Sequence, residues 1–127
     1  MQNSKVKEHN KLVRDNIPAL VQKEGNTCEY KRIVKPQTRA KLLVQKLNEE
    51  GSELYKEMLF EPRGKVIEEL ADVYEVFLAL CKLNEVQVND VIVAADLKRL
   101  NRGSFDRGIF LKSVTEHDPQ ELYDHAE

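Results

Sequence analysis

The chain has 127 residues and a mass of 14.7 kDa, the size of one domain, and its 41% hydrophobic residues suffice for a modest core. The 20 Lys and Arg residues nearly balance the 22 Asp and Glu residues, and the net charge of -2 argues against binding to polymeric nucleic acid or to an anionic membrane. No apolar stretch approaches membrane-spanning length, and no signal-peptide core is evident near Met1. We therefore expect a cytoplasmic protein with no membrane partner.

The chain is predicted to consist of a loose N-terminal arm, one domain and an acidic tail. Residues 1–10 are polar and carry little apolar content, so they form the arm, whereas residues 11–114 form the domain and residues 115–127 the tail. The domain opens with Lys11 and Arg14 around a short apolar pair. These two cations are equally consistent with a solvated turn and with substrate binding.

A short helix is predicted from Asn16 to about Glu24. Pro18 suits the first turn of a helix, and Gly25 suits the position just after its end. Residues 28–34 roughly alternate between polar and apolar, which is consistent with a short extended segment.

A long second helix is predicted from a cap at Thr38 to about Phe60. Its apolar residues recur at three- and four-residue steps along one stripe, namely Leu43, Leu47, Leu54 and Met58. Glu50 occupies the gap in this stripe, with Glu53 one turn further on and Glu49 one turn before Glu53. A carboxylate in an apolar stripe is costly unless it is paired or binds a metal, so Glu50 indicates a site rather than packing.

A third helix is predicted from Lys65 to Leu83, after a break at residues 62–64. Apolar residues cover two of its sides: Val66, Ile67, Leu70, Tyr74, Phe77 and Cys81 on one, and Val73, Val76, Leu80 and Leu83 on the other. We expect Tyr74 and Phe77 in the core. A helix that is apolar on two sides in so short a chain predicts that a second subunit covers one of them.

The third helix also carries Glu69 and Asp72 on one face, just as the second carries Glu50 and Glu53. If the two helices pack antiparallel, these carboxylates meet at one point. The fold class is therefore predicted to be an all-α bundle of long antiparallel helices whose core is completed by oligomerisation.

A fourth helix is predicted over residues 90–100, capped by residues 88–89 and ended near Gly103. Lys98 and Arg102 lie one turn apart on it. They are as consistent with favourable placement near the helix C-terminus as with phosphate binding.

The segment 103–111 is predicted to be a shaped loop, because it contains two glycines together with a cation and two aromatics. Phe105 and Phe110 are more simply explained as core or interface residues than as aromatic rings that stack on a nucleobase. Arg107 adds a further cation that can reach phosphate.

The carboxylates form a site without histidine or cysteine, since the three histidines, His9, His117 and His125, lie in the arm and tail. An all-oxygen site suits Mg²⁺, or Mn²⁺, better than zinc or copper. Protein-bound Mg²⁺ commonly bridges to substrate phosphates. Basic groups are needed on the side of the substrate that the metal does not reach, and the candidates are Lys11, Arg14, Lys98, Arg102 and Arg107.

The acidic motifs resemble the signature of the all-α nucleoside triphosphate pyrophosphohydrolases, the MazG-like superfamily. This signature is E-E-x-x-E followed by E-x-x-D, here Glu49 to Glu53 and Glu69 to Asp72. The segments 11–18, 101–105 and 108–111 resemble the phosphoribosyl-ATP pyrophosphohydrolase-like branch, although Asn101 stands where many relatives have lysine.

The resemblance implies a helical bundle assembled as a dimer or a larger oligomer, with Mg²⁺ held by Glu50, Glu53, Glu69 and Asp72. Glu49 is then a group that orients a ligand, a further ligand, or a base that orients water. The implied activity is hydrolysis of nucleoside triphosphates to monophosphate and pyrophosphate, which clears damaged or surplus nucleotides.

The sequence is consistent with three possible functions. In the first, a Mg²⁺-dependent enzyme, Glu49 or Glu53 accepts the proton of the attacking water, and Arg14, Lys98 or Arg102 stabilises the leaving pyrophosphate. The second is a helical module that binds nucleotide without turnover. The third is phosphoribosyl-ATP hydrolysis, for which nothing in the chain is diagnostic.

Overall fold

The computed structural model describes residues 4–60 and 63–119. These residues contain four helices and no strand, which confirms the all-α prediction: α1 (Ile17–Lys23), α2 (Pro36–Phe60), α3 (Arg63–Leu83) and α4 (Val88–Arg102). The chain divides into two compact units, Met1–Val91 and Ile92–Glu127. Helices α1 to α3 lie in the first unit, and most of α4 lies in the second.

Helix α1 follows the prediction closely. It begins after Asn16, has a proline in its first turn, and is followed by Gly25, whose φ of +86° is the left-handed conformation that suits glycine. The side chain of Asn16 makes no capping hydrogen bond. Residues 28–34 form neither helix nor strand, so the alternation there does not produce a strand.

The starts of the longer helices differ from those predicted. Helix α2 begins at Pro36, so Thr38 lies within its first turn and is not its cap; a proline without an N–H is suited to that first turn. Helix α3 begins at Arg63 and includes Gly64, which was expected to lie in the break. Pro62, the other predicted breaker, lies outside the described residues.

Helix α4 begins at Val88, two residues before the predicted start, and extends to Arg102. Gly103 follows with a φ of +82° and Gly108 has a φ of +61°. The segment 103–111 is not helical, as predicted.

The core of the first unit lies where α2 packs against α3. Among the described residues its most buried apolar side chains are Val76 and Cys81, both on α3. Glu50 on α2 is buried to a similar degree, so the contact between the two helices encloses a carboxylate. Tyr74 is 55% exposed although its ring stacks with that of Phe77 at a centroid distance of 6.0 Å, so the prediction that Tyr74 is a core residue is wrong for the single chain.

Many large apolar side chains remain exposed. On α2 and α3 they are Val44, Tyr55, Met58, Leu59, Phe60, Ile67, Leu70 and Tyr74, and in the second unit they include Leu97, Leu100, Phe105, Ile109, Phe110 and Leu111. Phe105 and Phe110 are therefore not core residues of this chain. No helix in the described part of the chain is both long enough and apolar enough to cross a membrane.

Candidate metal centre

Three carboxylates meet where α2 packs on α3. Glu50 comes from α2, and Glu69 and Asp72 come from α3, one helical turn apart. One oxygen of each lies within 4.8 Å of an oxygen of the others. The structure thus brings together three of the four predicted metal ligands, and we call these three residues the acidic trio.

The fourth predicted ligand, Glu53, is one turn beyond Glu50 on α2 and is not part of the acidic trio. Its side chain is 46% exposed, and its Oε1 lies 3.5 Å from the Lys56 ammonium. Its negative charge is nevertheless near enough to raise the pKa of Glu69. Glu53 therefore lies beside the cluster, and its role as a ligand stays a prediction.

Lys46 compensates part of the charge of Glu50. Only 12% of the Glu50 side chain is exposed, and its Oε1 lies 3.5 Å from Lys46 Nζ. The Lys46 side chain is itself only 19% exposed and also lies 3.8 Å from Glu49. Lys46 was not predicted as a site residue, although its four-residue spacing to Glu50 on a helix was the available signal.

Glu69 is the least compensated member of the acidic trio. Its Oε2 is shielded from solvent and has no hydrogen-bond partner. Burial raises the pKa of Glu69 above its ordinary value. A hydrogen bond that the protonated carboxyl shares with Glu50, and the negative charges of Glu50, Asp72 and Glu53, raise the pKa further. A buried oxygen without a partner among other carboxylates is the environment that a bound cation would relieve.

Glu69→Gln is expected to stabilise the metal-free protein at neutral pH. Because the folded state holds the Glu69 proton more tightly, the wild-type free energy of unfolding should fall as the pH rises from about 4.3, the ordinary value, through the raised pKa. The neutral amide removes that dependence and should add on the order of 1 kcal/mol at pH 7. Urea unfolding in EDTA across pH 4 to 8 measures it. Parallel pH profiles of variant and wild type would contradict the assignment.

Lys11 binds the first glutamate of the motif. Its Nζ donates to Glu49 Oε1 at 2.8 Å, and this contact lowers the pKa of Glu49 and raises that of Lys11. Both side chains are more than a third exposed, so the pair contributes little to stability. The contact places Lys11, in the segment before α1, beside Glu49 on α2.

Arg14 binds a member of the acidic trio directly. Its Nη2 donates to Asp72 Oδ1 at 2.6 Å, and its side chain is 57% exposed. The structure thus places the two predicted N-terminal substrate cations, Lys11 and Arg14, beside the predicted acids. Neither ion pair was anticipated from the sequence, because residues 38 and 58 positions apart carry no local signal of contact.

A cleft of about 90 Å³ opens next to Glu49. It is lined by Lys11, Leu12, Leu42, Gln45, Lys46 and Glu49. Two cations and one carboxylate thus line a small opening one residue along α2 from Glu50. Groups of this kind suit a phosphate or the polar edge of a nucleotide.

Lys98 and Arg102 lie on the part of α4 that belongs to the second unit, and both are exposed. Arg99, between them, pairs with Asp96 at 2.8 Å, which is a local contact within the helix. Their role in binding substrate stays a prediction.

The donor set of the acidic trio fits Mg²⁺. All of its ligand atoms are carboxylate oxygens, which this hard cation prefers, and three protein ligands leave further positions for waters or substrate oxygens. The unpartnered Glu69 Oε2 supplies a second observation in favour of a cation. Glu50, Glu69 and Asp72 are the residues that would hold it.

Comparison with known protein families, curated proteins and solved structures found no match for the chain. The resemblance to the MazG-like superfamily therefore rests on the two acidic motifs and the flanking segments alone.

Proposed function

We propose that the protein is a Mg²⁺-dependent nucleoside triphosphate pyrophosphohydrolase that acts in the cytoplasm on surplus or damaged nucleotides. The observation that carries this proposal is the acidic trio, three carboxylates from two helices with Lys46 and Arg14 paired to two of them. A hard-cation site that is flanked by basic side chains fits a substrate with adjacent phosphates.

Within this proposal, Glu50, Glu69 and Asp72 would hold Mg²⁺, which would supply positive charge to polarise phosphoryl oxygens and to lower the pKa of an attacking water. Lys46 and Lys11, which line the cleft beside Glu49, bind phosphate oxygens. Lys98 and Arg102, both exposed on α4, are further cations that can stabilise the negative charge of the leaving pyrophosphate.

Glu53 is the better candidate for accepting the proton of the attacking water. Glu49 already binds Lys11 at 2.8 Å, and that contact lowers its pKa and weakens it as a base. Glu53 has one long contact with Lys56, at 3.5 Å, and is half-exposed, so it can turn toward a water. Glu49 then acts by holding Lys11 in place.

The proposal includes a homo-oligomer, dimer or tetramer, of antiparallel long helices. It is supported by the exposed apolar stripe of Ile67, Leu70 and Tyr74 on α3, which repeats at three- and four-residue steps on one side of the helix. Contiguous apolar surface of this kind usually marks an interface. Sedimentation of the wild-type chain tests it.

A panel of common and modified nucleoside triphosphates, with phosphoribosyl-ATP included, tests the activity. We expect Mg²⁺-dependent release of pyrophosphate and monophosphate, and hydrolysis in heavy-oxygen water identifies the attacked phosphorus from the labelled product. Glu68→Gln, a neighbouring exposed acid on α3, is the control that should keep full activity. The proposal would be refuted if every nucleotide released inorganic phosphate in place of pyrophosphate, or if no nucleotide was hydrolysed.

The same panel separates the two alternatives. A non-catalytic nucleotide-binding module would bind Mg²⁺ and nucleotide without forming product, and a phosphoribosyl-ATP pyrophosphohydrolase would turn over that substrate selectively.

A further inference from the structure

The segment just before α1 is tied to both helices of the site. Lys11 binds Glu49 on α2 at 2.8 Å, and Arg14 binds Asp72 on α3 at 2.6 Å. Residues 4–16 belong to no helix or strand, but the Arg14 carbonyl accepts a hydrogen bond from Ile17 N at 3.0 Å, so a displacement of Arg14 needs to move only its side chain. The two ion pairs differ in kind, because Asp72 belongs to the acidic trio and Glu49 does not.

A divalent cation at the acidic trio would compete with Arg14 for Asp72. The guanidinium neutralises part of the charge that attracts the cation. Although Asp72 has a second oxygen, a guanidinium and a divalent cation on one carboxylate repel each other at close range. Lys11 faces no such competition at Glu49. A bound metal therefore weakens one attachment of the segment and leaves the other in place.

Building on the proposed function, we propose that Arg14 is a switch between metal and phosphate. Without metal it pairs with Asp72, and metal binding displaces it. Lys11 remains beside Glu49, and the Arg14 backbone remains hydrogen-bonded to Ile17, so the freed guanidinium stays near the site. Its planar set of donors then binds an oxygen pair of the substrate's phosphates. Its 57% exposure gives the side chain room to make this move.

The proposed switch gives Arg14 opposite effects on the affinities for the two ligands, metal and phosphate. Arg14 opposes the metal in the nucleotide-free protein and favours the phosphate once metal is bound. Removal of Arg14 should therefore tighten metal binding and weaken phosphate binding. A residue that only stabilised the fold would change both affinities in the same direction.

The test uses Mn²⁺, followed by electron paramagnetic resonance, and inorganic pyrophosphate, followed by calorimetry in saturating Mg²⁺. Arg14→Gln should bind Mn²⁺ at least about fivefold more tightly than wild type and pyrophosphate at least about fivefold more weakly. Lys11→Gln removes the same charge three residues away, from an ion pair with Glu49. Because the Lys11 charge also interacts with Glu50, but at longer range than Arg14 interacts with Asp72, this variant should tighten Mn²⁺ binding clearly less than Arg14→Gln does at physiological ionic strength.

Limited trypsin digestion measures the displacement of Arg14 from Asp72 separately. Saturating Mg²⁺ should speed cleavage after Arg14 relative to cleavage after Arg32, an exposed internal reference in the same digest. The acceleration should be absent in Glu50→Gln, which has lost one carboxylate of the acidic trio.

The outcomes separate this proposal from the proposed function. If wild type binds Mn²⁺ but Arg14→Gln binds it no more tightly, the switch is wrong and the metal site stands. If Lys11→Gln tightens Mn²⁺ binding as much as Arg14→Gln, the effect is general charge and the switch is wrong. If neither wild type nor Arg14→Gln binds Mn²⁺, the metal site and the switch both fail.

Discussion

Asp72→Asn is expected to reduce Mg²⁺-dependent pyrophosphate release by at least about a hundredfold. Loss of a group that only orients a metal ligand lowers metal affinity or activity by about 10- to 100-fold. Asp72 contributes an oxygen to the acidic trio itself, so its loss should cost at least as much. Asparagine keeps the shape but removes the charge that holds a hard cation. Turnover of a responsive nucleotide from the panel, at saturating Mg²⁺, measures the effect.

Glu53→Gln should cost activity to a similar extent while sparing Mg²⁺ affinity more than Asp72→Asn does, because Glu53 lies outside the acidic trio. Glu49→Gln should cost less, since Glu49 acts through Lys11. A double variant, Glu53→Gln with Asp72→Asn, that kept wild-type turnover would refute the site outright. Glu68→Gln is the control for loss of an acid outside the site, and the circular dichroism of each variant shows whether its helices are still folded.

The acidic trio was predictable because Glu50 violates a helical pattern. Its place in an apolar stripe of α2, and the spacing of Glu69 to Asp72 on the following helix, both follow from the period of 3.6 residues. The short connection between α2 and α3 then limits where the two helices can meet. Local pattern and chain connectivity together were sufficient for these three residues.

The contacts of Lys11 and Arg14 were not predictable, because irregular chain has no periodicity that fixes where a side chain points. The exposure of Tyr74 was missed for another reason. Its position in an apolar pattern indicates that something covers it, yet the pattern cannot distinguish cover by the same chain from cover by another subunit. The start of α2 at Pro36 shows a third limit, since Thr38 and Pro36 are both good helix-start residues.

Saturating Mg²⁺ is expected to raise the midpoint of thermal unfolding on the order of 10 °C. A ligand that binds only the folded state, at about a hundred times its Kd, stabilises that state by about 2.7 kcal/mol, and each kcal/mol shifts the midpoint of a domain of this size by several degrees. The physical source is the relief of repulsion among Glu50, Glu69 and Asp72, together with a partner for the unpartnered Glu69 Oε2. Differential scanning fluorimetry in EDTA and in Mg²⁺ measures the shift.

The variant Glu69→Gln distinguishes this source from general ionic effects. It should start from a higher midpoint in EDTA, because the repulsion is already reduced, and it should gain much less from Mg²⁺, because one ligand is weakened. NaCl at the same ionic strength screens surface charge but supplies no divalent cation to the acidic trio, so it should not reproduce the rise in the wild-type midpoint. If wild type and Glu69→Gln rise by the same amount in Mg²⁺, the cation acts elsewhere on the protein and the acidic trio is not its site.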